Sequence, residues 1–154
     1  MNLFYRQIGF LIVKSKSNIF KGWKSLTHKN IRFVNRQQGS GIRILLDYEL
    51  NTRNIACGDI SGYDNEVYTH FEVGLSLVSG EADVRIASAV VAKILDLNFK
   101  PLVSERFDMI LDKDIFFQPA IQVFIETLQS DKFQNHVEKI GNYNFKNAGK
   151  ILHS

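Results

Sequence analysis

The fold is decided by the stretch Phe33-Val34-Asn35-Arg36-Gln37-Gln38-Gly39-Ser40-Gly41-Ile42-Arg43. Its first residues continue the apolar run Ile31–Val34, which predicts a strand. Gly39 and Gly41 then mark a turn, and Ser40 is typical of the position just before a helix. Apolar residues recur beyond it at helical spacing, so we predict a helix from about Ser40 to Leu50. A strand that passes through a glycine turn into a helix is the repeating unit of α/β folds.

The alternation of strands and helices continues on both sides of this stretch. We predict further strands at Ile8–Val13, Ala82–Ile86, Phe99–Val103 and Arg106–Leu111. We predict further helices from an Asp64 cap to Ser79-Gly80, at Ala87–Leu95, from Pro119 to about Leu128, and from a Ser130 or Asp131 cap to Ile140. The tail Gly141–Ser154 is rich in Asn and Gly, which indicates irregular structure. The order of elements predicts an α/β fold with a mostly parallel sheet.

The start of the predicted helix has the chemistry of an anion site. Its first backbone amides have no partner inside the helix, and they lie at the positive end of the helix dipole. Glycines at 39 and 41 would let an anion approach the backbone, while Ser40, Arg36 and Arg43 add donors. A tight turn with a capping serine has the same sequence, and Arg43 could instead pair with Asp47 four residues on.

Composition limits the partners. The formal net charge is +3 and the pI is near 9.0, which favours an anionic ligand but is too weak to predict nucleic-acid binding. The basic residues concentrated near the start are equally typical of a solvated surface. Cys57 is the single cysteine, so neither an intrachain disulfide nor a cysteine-based zinc site is expected. The apolar run Ile8–Val13 is too short for a membrane span or a signal segment, so we expect a cytoplasmic protein without membrane contact.

No set of residues in the sequence predicts catalysis. A nucleophile, a base and a group to orient the base are not found together, so we expect no enzyme and no cofactor. Glu66 and His70 have the spacing of two metal ligands on one helix face, but a third ligand is missing. We therefore predict no metal, and a structural or ligand-orienting role for His70.

A resemblance to a known family extends over most of the chain. The run from Arg36 to Arg43, followed by Leu45-Leu46-Asp47, is similar to the signature Asn-Arg-Gln-x-Gly-Ser-Gly-Thr-Arg…Leu-Leu-Asp. Further matches follow in the family's order: Gly62-Tyr63, Thr69-His70, Ser79-Gly80-Glu81-Ala82-Asp83, Leu97-Asn98-Phe99-Lys100-Pro101-Leu102, Glu105-Arg106-Phe107-Asp108 and Gly141-Asn142-Tyr143. This signature is typical of periplasmic-binding-protein-like domains that sense molybdate or tungstate. Such domains occur fused to winged-helix regulators or beside molybdopterin-biosynthesis domains.

The resemblance implies a type II periplasmic-binding-protein fold, in which two α/β lobes enclose the ligand. Residues 1–154 would form a single domain of this kind. Residues 14–104 would form lobe two, while residues 1–13 and 105–154 would provide the crossing strands and the remainder of lobe one. Family members usually begin some tens of residues earlier, so we expect one complete lobe and a partial second lobe.

Two positions depart from the family pattern near the implied site. Ile42 stands where the family has a threonine, which removes one hydroxyl. Arg85 stands where the family usually has a small residue, so it could crowd the cleft or supply another cation. The resulting set of predicted ligand-binding residues is Arg36, Gly39, Ser40, Gly41, Arg43, His70 and Arg85.

The resemblance and the helix-start chemistry together predict a non-catalytic sensor of a small anion. Candidate ligands are an oxyanion such as molybdate or tungstate, or a molecule like the molybdenum cofactor. The alternative is a self-associating or protein-interaction module, because an incomplete lobe would expose apolar surface. We accordingly expect either a homo-oligomer or a partner chain that supplies the missing lobe, and no direct nucleic-acid contact.

Overall fold

The computed structural model describes residues 1–68 and 70–151, and at positions 70, 71, 73 and 74 it describes the backbone alone. The chain folds into two compact units. We call residues 9–102 the central unit, and residues 1–8 together with 103–154 the terminal unit. Two long strands contribute residues to both units.

The structure confirms the α/β class. The strands are β1 (Asn2–Ile12), β2 (Asn35–Arg36), β3 (Glu66–Val67), β4 (Val84–Ser88), β5 (Asn98–Asp108) and β6 (Tyr143–Asn144). The α-helices are α1 (Gly41–Thr52), α2 (His70–Val78), α3 (Ala89–Ile94), α4 (Lys113–Phe116), α5 (Pro119–Gln129) and α6 (Asp131–Ile140). Short 3-10 turns occupy Lys14–Lys16, Trp23–Thr27 and Cys57–Asp59.

The strands form two sheets. The larger has the order β4-β1-β5, and β6 pairs antiparallel with β1 through Tyr5 and Asn144. The smaller consists of β2 and β3, which run parallel with Asn35 opposite Glu66. A parallel bridge between Phe33 and Val84 connects the β2 segment to β4.

The central unit has its core around β4, whose five residues are all buried. One cluster of buried apolar residues consists of Leu11, Val34, Leu77, Ala82, Ala87 and Ala92. Phe10 packs edge-on against both Phe20 and Trp23, with centroid distances of 4.9 and 4.8 Å. Helices α1, α2 and α3 all pack against β4. Any polar side chain on β4 is therefore held in a largely apolar interior.

The terminal unit has a smaller, aromatic core. Leu128, Phe145 and Ala148 are buried, and Phe4 stacks on Phe107 with centroids 4.8 Å apart. Helix α5 begins with Pro119, whose fixed φ and missing amide hydrogen suit a first helical turn. The hydroxyl of Ser130 accepts a hydrogen bond from Phe133 N at the start of α6, which confirms this predicted cap.

Several predicted boundaries were wrong. The segment after Asp64 does not continue straight into a helix, because Glu66–Val67 pairs with β2 and α2 begins at His70. The predicted strand Ile31–Val34 has the wrong bounds, since β2 comprises Asn35–Arg36 and Phe33 forms an isolated bridge to Val84. The two strands predicted around Val103 are one strand, β5, which tolerates Pro101 because it lies at the end of the sheet order. The tail is not wholly irregular, since Tyr143–Asn144 pairs with β1.

None of the helices in the described part of the chain combines the length and the apolar character needed to span a bilayer.

Candidate functional site

The start of α1 has the predicted geometry. Ser40 is extended, and its hydroxyl accepts a hydrogen bond from the amide of Arg43 at 3.2 Å, which confirms it as the cap. Gly39 has a φ of +85°, a conformation that favours glycine and allows the tight turn out of β2. A side chain added at Gly41 would meet no protein atom within 4 Å. Protein packing alone therefore does not require a glycine at position 41, and the backbone there is open to approach.

Arg43 is engaged with protein acceptors. Its Nε donates to both carboxylate oxygens of Asp47 at 3.0 Å, and its Nη1 donates to Glu66 at 2.8 Å. Its Nη2 donates to the Tyr63 hydroxyl at 2.8 Å, and the guanidinium lies over the Tyr63 ring. The sequence left open whether Arg43 meets a ligand or pairs with Asp47, and the structure shows the pair. A role for Arg43 in ligand binding stays a prediction.

Tyr63 completes this network. Its hydroxyl donates to Asp47 at 2.6 Å while it accepts from Arg43. Burial, followed by the bond to Asp47, raises the pKa of Tyr63 above its ordinary value, so it stays a neutral donor. The network connects the first turns of α1, which follow the glycine turn, to Tyr63 and to Glu66 of β3. Sequence analysis did not identify it, because Asp47 and Tyr63 are distant along the chain.

Arg36 lies at the end of β2, just before the glycine turn. Its Nε donates to the Gln37 side chain at 2.9 Å, and its Nη2 donates to the carbonyl oxygen of Tyr68 at 3.2 Å. Both acceptors are neutral. Within the part of the chain that the structure describes, Arg36 forms no ion pair. Within that part of the chain, its positive charge is therefore not compensated by an acid, and a role for Arg36 in ligand binding stays a prediction.

Arg85 is the most unusual residue of the molecule. It lies on β4 and is 0% exposed, the largest of the fully buried side chains. Its Nε, Nη1 and Nη2 have no hydrogen-bond partner among the described residues. Burial, followed by the positive charge of Arg36, lowers the pKa of Arg85 to about 9. Native proteins rarely bury a charged group without a partner, because the lost hydration is not replaced.

The nearest acid in sequence does not relieve Arg85. Asp83 is buried, but its carboxylate accepts from the Arg32 amide at 2.9 Å and from the Arg32 guanidinium at 3.0 and 3.1 Å. Burial alone would raise the pKa of Asp83, yet the bonds from Arg32 outweigh burial and lower it. Asp83 is therefore a charged partner of Arg32, and Arg85, two residues further along β4, has no acidic partner among the described residues.

The side chain of His70 lies outside the part of the chain that the structure describes, and its predicted role stays a prediction. Among the described residues, no group of three or more His, Cys, Asp or Glu side chains is close enough to hold a metal ion.

Comparison with known proteins identifies the family. The sequence model of the PBP superfamily domain, where PBP stands for periplasmic binding protein, matches residues 1–129. The chain belongs to this superfamily. The uncharacterized protein YvgK of Bacillus subtilis is 29% identical over 152 residues, which are 99% of this chain and 49% of YvgK. A Clostridium pasteurianum protein encoded in the 5′ region of a ferredoxin gene is 29% identical over 110 residues, 71% of this chain and 97% of that protein. The chain thus spans about half the length of YvgK.

Solved PBP structures share the fold. A substrate-binding domain assigned to a molybdenum ABC transporter of Clostridium difficile superposes with a TM-score of 0.59 at 18% identity, over 99% of this chain and 66% of that chain. PEB3 bound to L-phospholactate gives 0.64 at 19% identity, over 94% and 67%. An amino-acid transporter substrate-binding protein of Streptococcus pneumoniae bound to L-arginine gives 0.64 at 15% identity, over 94% and 60%. The partial coverage of these chains agrees with a PBP domain that has one complete lobe and part of the second.

Proposed function

We propose that this PBP domain is a non-catalytic module that binds a small oxyanion of the molybdate or tungstate type. The observation that carries the proposal is Arg85, a fully buried guanidinium that has no hydrogen-bond partner in the described part of the chain. PBP-type folds bind small ligands, and a buried cation favours a ligand of negative charge. A molecule like the molybdenum cofactor, which carries a phosphate, would present the same oxyanion chemistry.

The energetics favour an anion at this position. An unpaired charge in a low-dielectric interior destabilises the empty protein, because the guanidinium has lost its hydration and gained no hydrogen bond. An anion that accepts from its nitrogens would form charge-assisted bonds, which are about twice as strong as neutral ones. Because binding removes this desolvation penalty, the binding free energy becomes more favourable. A neutral ligand would leave the penalty in place.

The elements around Arg85 supply further positive potential. Arg36 is close enough to act on Arg85, and α1 begins a few residues after Arg36. The open amides after Ser40 are the positive end of the α1 dipole. In this proposal Arg85, Arg36 and the Ser40–Gly41 backbone contact the anion, while Arg43 positions the turn through Asp47, Glu66 and Tyr63.

The central unit would correspond to the lobe that the family resemblance assigns to residues 14–104, since Arg36 and Arg85 both belong to it. As a sensor, the module would act by differential binding. The anion stabilises the conformation that holds it and shifts the population towards that conformation.

Calorimetric titration tests this function. The chain is titrated with molybdate, tungstate, sulfate and phosphate at constant ionic strength, and thermal unfolding is followed with each anion. We expect saturable heat and a higher melting temperature with at least one of them. No heat and no thermal shift at millimolar concentration of any of the four would contradict the proposal.

A second candidate function, self-association, is favoured by the apolar surface of the terminal unit. Ile110 is 98% exposed, Phe117 75% and Ile151 59%. Phe117 and Ile151 line an open cavity of about 340 Å³, beside the adjacent opposite charges of Asp112 and Lys113. We propose that a second copy of this chain covers this cavity, because Asp112 of one copy could pair with Lys113 of the other across a two-fold axis.

Light scattering tests self-association. The wild-type chain is expected to be a dimer at micromolar concentration, and Phe117→Ser is expected to shift it towards the monomer. Val123→Ser is the matched control, since Val123 is 60% exposed but does not line this cavity. A wild-type chain that stays monomeric at 100 μM, or a dimer that Phe117→Ser leaves unchanged, would contradict the assignment of this surface.

A further inference from the structure

The first part of the chain has a one-sided charge. Residues 1–46 contain nine lysines and arginines, and the first carboxylate of the sequence is that of Asp47. The sequence left open whether these basic residues form more than a solvated surface. In the central unit, a set of lysines at the surface has no carboxylate partner among the described residues. We call this set the lysine surface, and it consists of Lys16, Lys21, Lys24, Lys29 and Lys100.

Hydrogen bonds bring lysines from distant parts of the chain together. Lys100 comes from β5, and its ammonium donates to the carbonyl oxygen of Lys21. The amide of Lys21 donates to the hydroxyl of Ser25 at 2.8 Å, which holds Lys21 against the 3-10 turn that contains Lys24. Two segments almost eighty residues apart therefore contribute positive charge to one surface.

An apolar side chain lies within the same surface. The Lys16 ammonium donates to the carbonyl oxygen of Asn30 at 2.9 Å, directly after Lys29. The amide of Ile19 donates to the carbonyl oxygen of Lys16 at 3.1 Å, so Ile19 lies in the tight turn between Lys16 and Lys21. Ile19 is 46% exposed. The lysine surface therefore presents an aliphatic side chain to the solvent together with its charges.

The nearby groups best suited to nucleic acids are already engaged. Arginine forks bind phosphates in defined geometry, and free aromatic rings stack on bases. Arg32 and Arg53 both pair with carboxylates, and the guanidinium of Arg53 lies 5.1 Å from the centre of the Trp23 ring. What the surface offers is the point charges of lysines and one aliphatic side chain.

We infer that the lysine surface binds an anionic lipid bilayer, with the ammonium groups against the headgroups and Ile19 inserted between them. A cluster of lysines is attracted to an anionic leaflet without contacts of defined geometry, and an exposed apolar side chain strengthens this attraction by burial at the interface. The sequence expectation of no membrane contact rested on the length of an apolar run, which surface binding does not require. This inference is independent of the anion site of the proposed function.

Co-sedimentation with vesicles tests the inference. The full chain is incubated with vesicles of phosphatidylcholine alone and with vesicles that contain about 30% phosphatidylserine, at low and at high salt. We expect at least tenfold tighter binding to the phosphatidylserine vesicles at low salt. Most of this preference should disappear at high salt, because ions screen the attraction. Equal binding to the two kinds of vesicle, or no binding to either, would overturn the inference.

A polynucleotide is the rival occupant of a basic surface. Fluorescence anisotropy with a labelled DNA duplex and a labelled single-stranded RNA measures it under the same low-salt condition. We expect weaker binding of both than of the phosphatidylserine vesicles. Tighter binding of either polynucleotide than of these vesicles would assign the surface to nucleic acid and overturn the lipid assignment.

Variants locate the binding on the chain. Since each lysine near an anionic surface strengthens binding by about fivefold, we expect at least tenfold weaker binding to phosphatidylserine vesicles after the triple substitution Lys21→Gln, Lys24→Gln and Lys29→Gln. The matched control removes the same charge from exposed lysines of the terminal unit, by Lys132→Gln, Lys146→Gln and Lys150→Gln. This control should bind almost as the wild type does. Equal losses in the two triple variants would show that net charge, and not this surface, drives the binding.

The isoleucine separates insertion from charge alone. Ile19→Ser is expected to weaken binding to phosphatidylserine vesicles several-fold, because it removes the apolar contact and leaves the charge unchanged. Ile140→Ser is the control, since Ile140 is 45% exposed and belongs to the terminal unit. Thermal unfolding of each variant confirms that the fold is intact. Wild-type binding by a folded Ile19→Ser variant would overturn the insertion of Ile19.

Discussion

At the scale of single residues, burial could not be predicted from the sequence. The sequence marked Arg85 as a departure from the family pattern and left two roles open, a bulky obstruction or an added cation. The structure places it at 0% exposure, and no hydrogen-bond partner for its guanidinium lies among residues 1–68 and the described residues from 70 to 151. That result depends on three helices that pack against β4, of which α1 and α2 are separated from Arg85 by other segments of the chain. Local pattern carries no information on such packing.

Arg43 shows the converse case. The sequence offered a ligand contact and an i,i+4 pair with Asp47, and the structure has the pair together with Glu66 and Tyr63. The spacing to Asp47 was visible in the sequence. The contacts to Glu66 and Tyr63 were not, because the chain must fold back after α1 before these residues approach Arg43.

The first residue-scale prediction concerns the stability of the empty protein. Arg85→Met replaces the buried guanidinium by an apolar side chain of similar length, which removes the desolvation penalty. We expect the free energy of unfolding, measured by urea denaturation without ligand, to rise by about 2 kcal/mol. Arg106→Met, at a half-exposed paired arginine, should change it by less than about 0.5 kcal/mol. A large loss of stability in Arg85→Met would mean that the protein itself satisfies the guanidinium.

At the scale of elements, the segments with strong local signals were predicted well. The caps Ser40 and Ser130 and the helix start at Pro119 all follow from side-chain chemistry within a few residues. The two-residue strands β2, β3 and β6 could not be predicted. They are too short to show a period, and they exist only because a distant partner completes their hydrogen bonds.

The element-scale prediction concerns acid stability. Asp83 begins the turn into β4, and its bonds with Arg32 secure the chain ahead of β2. Because the pKa of Asp83 is lower in the folded protein, its contribution is complete above the ordinary value of 3.8 and is lost as the pH falls below it. Asp83→Asn should therefore lower the free energy of unfolding at pH 7 by about 2 kcal/mol.

The same substitution should also flatten the fall in stability as the pH drops below 3.8. Asp96→Asn is the control, because Asp96 is 87% exposed and pairs with a lysine that is itself exposed. Equal effects of the two substitutions in urea denaturation would show that the Arg32–Asp83 pair contributes no more than a surface pair.

At the scale of the whole molecule, the superfamily could be inferred from ordered motifs, and the comparisons confirm it. The partial coverage of the relatives agrees with one complete lobe and part of another. The arrangement of charge could not be inferred, because it depends on which arginines find acids in the folded state. As far as the structure describes the chain, that distribution leaves Arg36 and Arg85 without an acidic partner.

The most direct test of anion binding at Arg85 is calorimetric titration of Arg85→Met and Arg106→Met, side by side, with the tightest-binding of the four oxyanions. Arg106→Met is expected to keep the wild-type dissociation constant. Arg85→Met is expected to fold and to bind at least tenfold more weakly, because a charge-assisted bond contributes roughly 1.5–3 kcal/mol. Wild-type affinity in a folded Arg85→Met protein would contradict the assignment of Arg85 as the group that holds the ligand.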